Sequence, residues 1–100
     1  MTTHPAWIIT AQELGPLLGK VTLVDVREPE EFADGHIEGC KLIPLGEVQA
    51  RAVAELRKDD DIVIYCAHGV RSMHALRAMA QLGFTQLRSL EGGFCAWEER

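Results

Sequence analysis

The residues best placed to do chemistry stand together at Cys66-Ala67-His68-Gly69-Val70-Arg71-Ser72. A cysteine reacts as its thiolate, so the question is what in this sequence favours the anion. The segment follows the apolar run Ile62-Val63-Ile64-Tyr65 and precedes a helical pattern, which puts Cys66 at the carboxyl end of a buried strand. Open α/β sheets place their ligands at such ends. A tight loop there turns several backbone N–H groups toward one point, and the following helix adds its positive terminus. Gly69 permits the backbone angles of such a curl. With Arg71 also at hand, a thiolate at the focus is stabilised; comparable surroundings lower cysteine pKa values to about 3.5–7.5. Cys66 is therefore the candidate nucleophile, and Ala67, His68, Gly69, Val70, Arg71 and Ser72 form the candidate anion-binding loop.

Short apolar runs alternate with helical patterns along the whole chain, the signature of an α/β domain with a mainly parallel sheet. Ile8-Ile9 reads as a first strand. Thr10 and Glu13 then make a capping box that opens a helix to about Leu18, with Gly19 as its stop. Val21 to Val26 is a nearly continuous apolar strand, covered on both faces, with Asp25 near its carboxyl end. Pro29 suits a first helical position among the acids Glu28, Glu30 and Glu31, and Gly35 ends that short helix. Lys41 to Ile43 is an edge-like strand. Leu45 to Arg57 has helical periodicity: Val48, Ala52 and Leu56 make an apolar face, and Glu47, Arg51 and Glu55 a charged one. After the turn Asp59-Asp60-Asp61 come the strand before Cys66 and a helix from about Ser72 to Leu82, stopped by Gly83. On that helix Ala75, Leu76, Met79 and Ala80 are expected inside, and His74, Arg77 and Gln81 outside. Gln86 to Leu90 is a last strand, and Gly92-Gly93 leads into a helical turn around Trp97.

Composition bounds the answer. One hundred residues, 47% hydrophobic and 25% charged, suit one globular domain spanning 1–100. The net charge of −5 leaves no basic footprint for nucleic acid. No apolar run approaches the roughly 18 residues of a membrane span, and the amino terminus lacks the order of a secretory signal. The expected compartment is the cytoplasm, where Cys40, Cys66 and Cys95 stay thiols. No pair of cysteines or histidines has zinc-ligand spacing, so no metal is expected.

Five blocks in order resemble the rhodanese family. They are Leu23-Val-Asp-Val-Arg27, Glu31-Phe-Ala-Asp-Gly-His-Ile-Glu-Gly39, Ile43-Pro44, the Cys66 loop, and Leu90-Glu-Gly-Gly-Phe-Cys-Ala-Trp97. The resemblance implies a rhodanese-like α/β fold: a five-stranded, mainly parallel sheet with helices on both faces and an active loop centred on the cysteine. It also implies transfer of a sulfane sulfur from a donor such as thiosulfate to cyanide or a thiol, through a persulfide on Cys66 and without a cofactor. Cys40 departs from the small residue usual in the family. Cys66 and Arg71 stand five positions apart, the sulfurtransferase spacing. Related dual-specificity phosphatases and arsenate reductases carry one more residue, a cradle wide enough for a tetrahedral oxyanion.

Each sharp reading has a plainer one beside it. Arg71 serves the thiolate, an acid across the helix start, or both. His68 either meets the incoming donor or is a solvated loop residue. Asp25, Arg27 and His36 match the family blocks but read as supporting residues, with Asp25 accepting from loop amides or an arginine because buried charge needs partners. Cys40 and Cys95 read as packed thiols or, if close to Cys66, as resolving thiols for its persulfide, and Phe94 and Trp97 as core. The expected partners are a small sulfur donor with a thiol or cyanide acceptor, with a protein donor or acceptor also admitted, in a monomer or weak homodimer. The alternatives are a protein-partnered persulfide relay or binding module, and a cysteine phosphatase or arsenate reductase relative.

Overall fold

The computed structural model describes residues 4–100. In chain order its elements are β1 (Ile8–Ile9), α1 (Ala11–Leu14), β2 (Thr22–Asp25), α2 (Pro29–Ala33), β3 (Lys41–Leu42), α3 (Val48–Glu55), β4 (Ile62–Tyr65), α4 (Val70–Gln81), β5 (Leu87–Leu90) and α5 (Gly93–Glu99). The five strands form one sheet in the order β1-β5-β4-β2-β3, and every pairing is parallel. β4 lies at the centre.

Strand alternation splits the core in two. Ile62 and Ile64 of β4 join Val24 and Val26 beneath Ala52 of α3 and Ala75 and Met79 of α4. Val63 and Tyr65 point the other way, with Leu23 and Leu90, toward Ala11 and Leu14 of α1 and Trp97 of α5. Each residue of the central β4 is thus buried against one helical layer or the other, and the α/β fold with helices on both faces is as the sequence implies. No helix among the described residues is long and apolar enough to cross a membrane.

Local chemistry explains where the elements begin and end. The first helix stops at Leu14, short of the expected Leu18, and continues as a 3₁₀ turn over Gly15–Leu17. Pro16 cannot donate the hydrogen bond a continuing α-helix needs there. The Thr10–Glu13 capping box forms in both directions. The helix expected from Leu45 likewise starts as a 3₁₀ turn, Leu45–Glu47, before α3. α4 begins at Val70, two residues earlier than expected. It ends in a glycine motif: Gly83, at φ +102°, and Phe84 donate to the carbonyls of Ala80 and Met79. Ala80 is exposed rather than inward, because Ala75, Leu76 and Met79 already fill the stripe α4 turns to the sheet.

Candidate active site

The central strand delivers Cys66 to the carboxyl edge of the sheet, where β2 and β4 send their connections over opposite faces. Gly69 turns the chain at φ +102°, an angle that strains any residue with a Cβ, and Val70 opens α4 immediately afterwards. The loop is therefore only Cys66 to Gly69, and Val70, Arg71 and Ser72 form the first helical turn. That shortening matters chemically. First-turn N–H groups have no acceptor within their own helix, and here one finds sulfur. Ser72 N–H donates to Cys66 Sγ at 3.3 Å, and Gly69 N–H donates to it at 3.1 Å. The thiol reaches the Ser72 hydroxyl at 3.6 Å, and that hydroxyl pairs with Ser89 Oγ at 2.7 Å.

Two opposing effects act on the thiol. Burial pushes its pKa up, but the Ser72 hydroxyl and the N–H groups of Ser72, Gly69 and His68 outweigh burial, and the result lies below the ordinary thiol value. Cys66 is 1% exposed. Its sulfur is the floor of a cup, while exposed His68 and Val70 stand at the rim.

The outward aim of the loop carbonyls is set from below by α5. Phe94 N–H donates to the Cys66 carbonyl at 2.8 Å, and Cys95 N–H donates to the Ala67 carbonyl at 3.1 Å. With the carbonyls held on that side, the loop amides are left for the sulfur. Gly93 makes the approach possible: a Cβ there would stand 2.6 Å from the carbonyl carbon and oxygen of Ala67. Gly93 and Ser89 are site residues that reading the sequence did not single out for this role. The Gly92-Gly93 pair carried a signal, because a glycine pair ahead of a helix is where two backbones can come close.

Arg71 sends its hydrogen bonds to an acid rather than to the sulfur. Its guanidinium forms a bidentate pair with Glu31 of α2, at 2.8 and 2.9 Å. Arg71 and the Glu28 N–H hold the Glu31 carboxyl down at about 2, and Glu31 in turn raises Arg71. The expected pairing with an acid across the helix start forms as a clamp between α2 and α4, and Arg71 still acts on Cys66 through space by its charge.

The three supporting residues separate. Asp25 and Arg27 are buried together: Arg27 donates from Nε and Nη2 to the Asp25 carboxylate and from its own backbone N–H at 2.9 Å. Arg27 Nη2 also donates to the Gly35 carbonyl at 2.7 Å, and its guanidinium lies 4.5 Å from the Phe94 ring centroid. This pair braces α2 and the start of α5. His36 is exposed, stacks on Phe32 and bonds the Phe32 carbonyl through Nδ1 at 2.9 Å; these contacts are with α2, not the loop. Cys40 meets the Tyr65 hydroxyl at 3.3 Å, and burial raises its pKa, opposite to Cys66. Trp97 and Phe94 pack in the core beneath the sheet. Among the described residues, no group of three or more His, Cys, Asp or Glu side chains has the arrangement to hold a metal.

Residues 10–100 match the family described as "Rhodanese-like domain". The chain belongs to the rhodanese-like family. Its relatives include a thiosulfate sulfurtransferase, GlpE, of Shewanella oneidensis, 35% identical over 79% of this chain and 77% of that protein. The probable adenylyltransferase/sulfurtransferase MoeZ of Mycobacterium tuberculosis is 40% identical over 92% of this chain, which spans only 24% of MoeZ. Among solved structures, the human single-domain sulfurtransferase TSTD1 superposes with a TM-score of 0.86 at 30% identity, covering 96% of this chain and 98% of that one. These rhodanese-like relatives support sulfurtransferase activity and partners that give or take sulfur.

Proposed function

We propose that this chain is a thiosulfate sulfurtransferase that carries sulfur on Cys66. In the first half-reaction the Cys66 thiolate attacks the sulfane sulfur of thiosulfate; the S–S bond breaks and sulfite leaves with its electron pair. In the second, cyanide or a thiol attacks the outer sulfur of the Cys66 persulfide, and the thiolate returns as leaving group. The N–H groups of Gly69 and Ser72 hold the Cys66 thiolate that attacks in the first half-reaction and leaves in the second.

The observation that carries this reading is the convergence of Gly69 N–H and Ser72 N–H on one sulfur atom, with the Ser72 hydroxyl in contact beside them. That cup matches a single anionic atom; a phosphoryl group brings three equatorial oxygens, each needing its own donor. The short Cys66-to-Arg71 spacing and the GlpE relative point the same way. The remaining elements of the reading are one domain over residues 1–100, a cytoplasmic location and no cofactor.

Steady-state turnover tests it. Thiosulfate and cyanide should give thiocyanate, and Cys66→Ser should lower the rate by about 10³-fold or more, as loss of a nucleophile does. Cys40→Ser and Cys95→Ser should leave it. Hydrolysis of an aryl phosphate that needs Cys66, without thiosulfate turnover, would replace this reading with the phosphatase one.

A further inference from the structure

Ser89 is a polar residue in an otherwise apolar stripe. Parallel pairing sets it level with Ile64 of β4, so its side chain stands on the face that Ile64 turns to α4. Leu90, next along β5, faces the other core. On α4 the buried residues are Ser72, Ala75 and Met79. The serine of each row meets the other: Ser72 Oγ and Ser89 Oγ stand 2.7 Å apart, and both residues are buried from solvent.

Two hydroxyls carry two protons, and only one fits between the oxygens. Among the described residues, Ser89 Oγ has no hydrogen-bond partner but Ser72, whereas Ser72 Oγ has a second neighbour in Cys66 Sγ at 3.6 Å. If Ser72 donated to Ser89, the Ser89 proton would be buried without an acceptor, which costs stability. If Ser89 donates, the Ser72 proton is left for the sulfur and both hydroxyls are matched. That arrangement suits a thiolate, which accepts and has no proton to give.

We propose that Ser89 is a positioning residue for Cys66: its hydroxyl donates to Ser72 and thereby aims the Ser72 proton at the sulfur, where it holds the anion. Burial opposes the Cys66 anion most, and the Ser72 hydroxyl is first among the groups that favour it. The effect of Ser89 on turnover rests on the sulfur-transfer reading; its effect on the thiolate does not.

The pH dependence of iodoacetamide alkylation, read on the peptide that holds Cys66, tests this in wild type, Ser89→Ala, Ser72→Ala and the double variant. Ser72→Ala removes the bond outright and should raise the midpoint by about one pH unit, and Ser89→Ala by about half of that. Adding Ser89→Ala to Ser72→Ala should move it no further, because Ser89 then has nothing to aim. Turnover lost in Ser89→Ala should return as pH rises past the midpoint. Urea denaturation gives a second readout. Ser72→Ala leaves the Ser89 hydroxyl buried and unpaired, so the double variant should be more stable than Ser72→Ala alone. A double variant no more stable would show that the Ser89 proton has another acceptor, against the proposal. An unchanged or lowered midpoint in Ser89→Ala would overturn it, as would shifts that add in the double variant. If the midpoints move as stated but the wild-type chain takes no sulfur from thiosulfate, Ser89 keeps its role and the sulfur-transfer reading fails.

Discussion

β2 and β4 run side by side, and each buries a polar group where it leaves the sheet, yet the two ends are opposite in kind. At β2 the charge is closed. Asp25 receives three side-chain contacts and a backbone N–H from Arg27, and Arg27 spends its remaining reach on Gly35. At β4 the donors are open: the Gly69 and Ser72 N–H groups converge on Cys66, beside the Ser72 hydroxyl that also pairs with Ser89. The contrast teaches how this fold divides labour. One end uses a paired charge to fix α2 and the start of α5, and the other uses that fixed frame to hold unpaired donors around a nucleophile.

The division predicts that damage at the two ends is read on different instruments. The largest stability effect should come from Arg27→Ala, which leaves Asp25 buried without its partner; urea denaturation should show a loss of about 3–5 kcal/mol. The iodoacetamide alkylation midpoint of Cys66 should stay below the roughly 8.5 of a free thiol in the molecules that remain folded. A large rise in that midpoint would mean the two ends are one electrostatic unit.

Gly93→Ala should reach the chemistry as well as the stability, because Gly93 stands at φ +60° against two backbone carbonyls. The added methyl meets the Ala67 carbonyl, and the carbonyls that α5 holds away would shift toward the sulfur. The alkylation midpoint should move up and turnover should fall about 10²-fold or more, on the scale of losing one aimed donor. Unchanged turnover would show that α5 does not set the loop.

The smallest effect concerns the clamp between α2 and α4. Because the folded pKa of Glu31 is depressed to about 2, its contribution to stability is present above about 4.5 and is lost as pH falls toward 2. Glu31→Gln should therefore flatten the acid limb of the stability profile over that range and leave it unchanged near neutrality apart from the lost pair. A profile indistinguishable from wild type would show that the Arg71–Glu31 pair stabilises nothing.

Much of this was legible from residue types alone. The alternation of apolar runs and helical patterns yields the fold class, and Cys66 stands out because a buried strand ends on it before a glycine turn. Partner choice was less legible. Nothing in the spacing of Arg71 says that it will turn to Glu31, forty positions away, since that pairing depends on how α2 and α4 approach each other in space. Ser89 looks like an ordinary strand residue until parallel pairing brings its hydroxyl to Ser72. Two helix ends were displaced by three or four residues where a 3₁₀ turn took over, at the end of α1 and the start of α3. α4 begins two residues early behind the Gly69 turn, which puts Ser72 N–H on the sulfur.

The claim that everything else serves is that these donors hold a sulfur anion on Cys66. Mass spectrometry of the wild-type chain after thiosulfate treatment tests it directly, without an acceptor and without a variant. The account predicts a gain of about 32 Da, removed by a thiol reductant and mapped to the peptide containing Cys66. A chain that turns over thiosulfate while Cys66 stays unmodified, or while the added sulfur maps to Cys40 or Cys95, would contradict it.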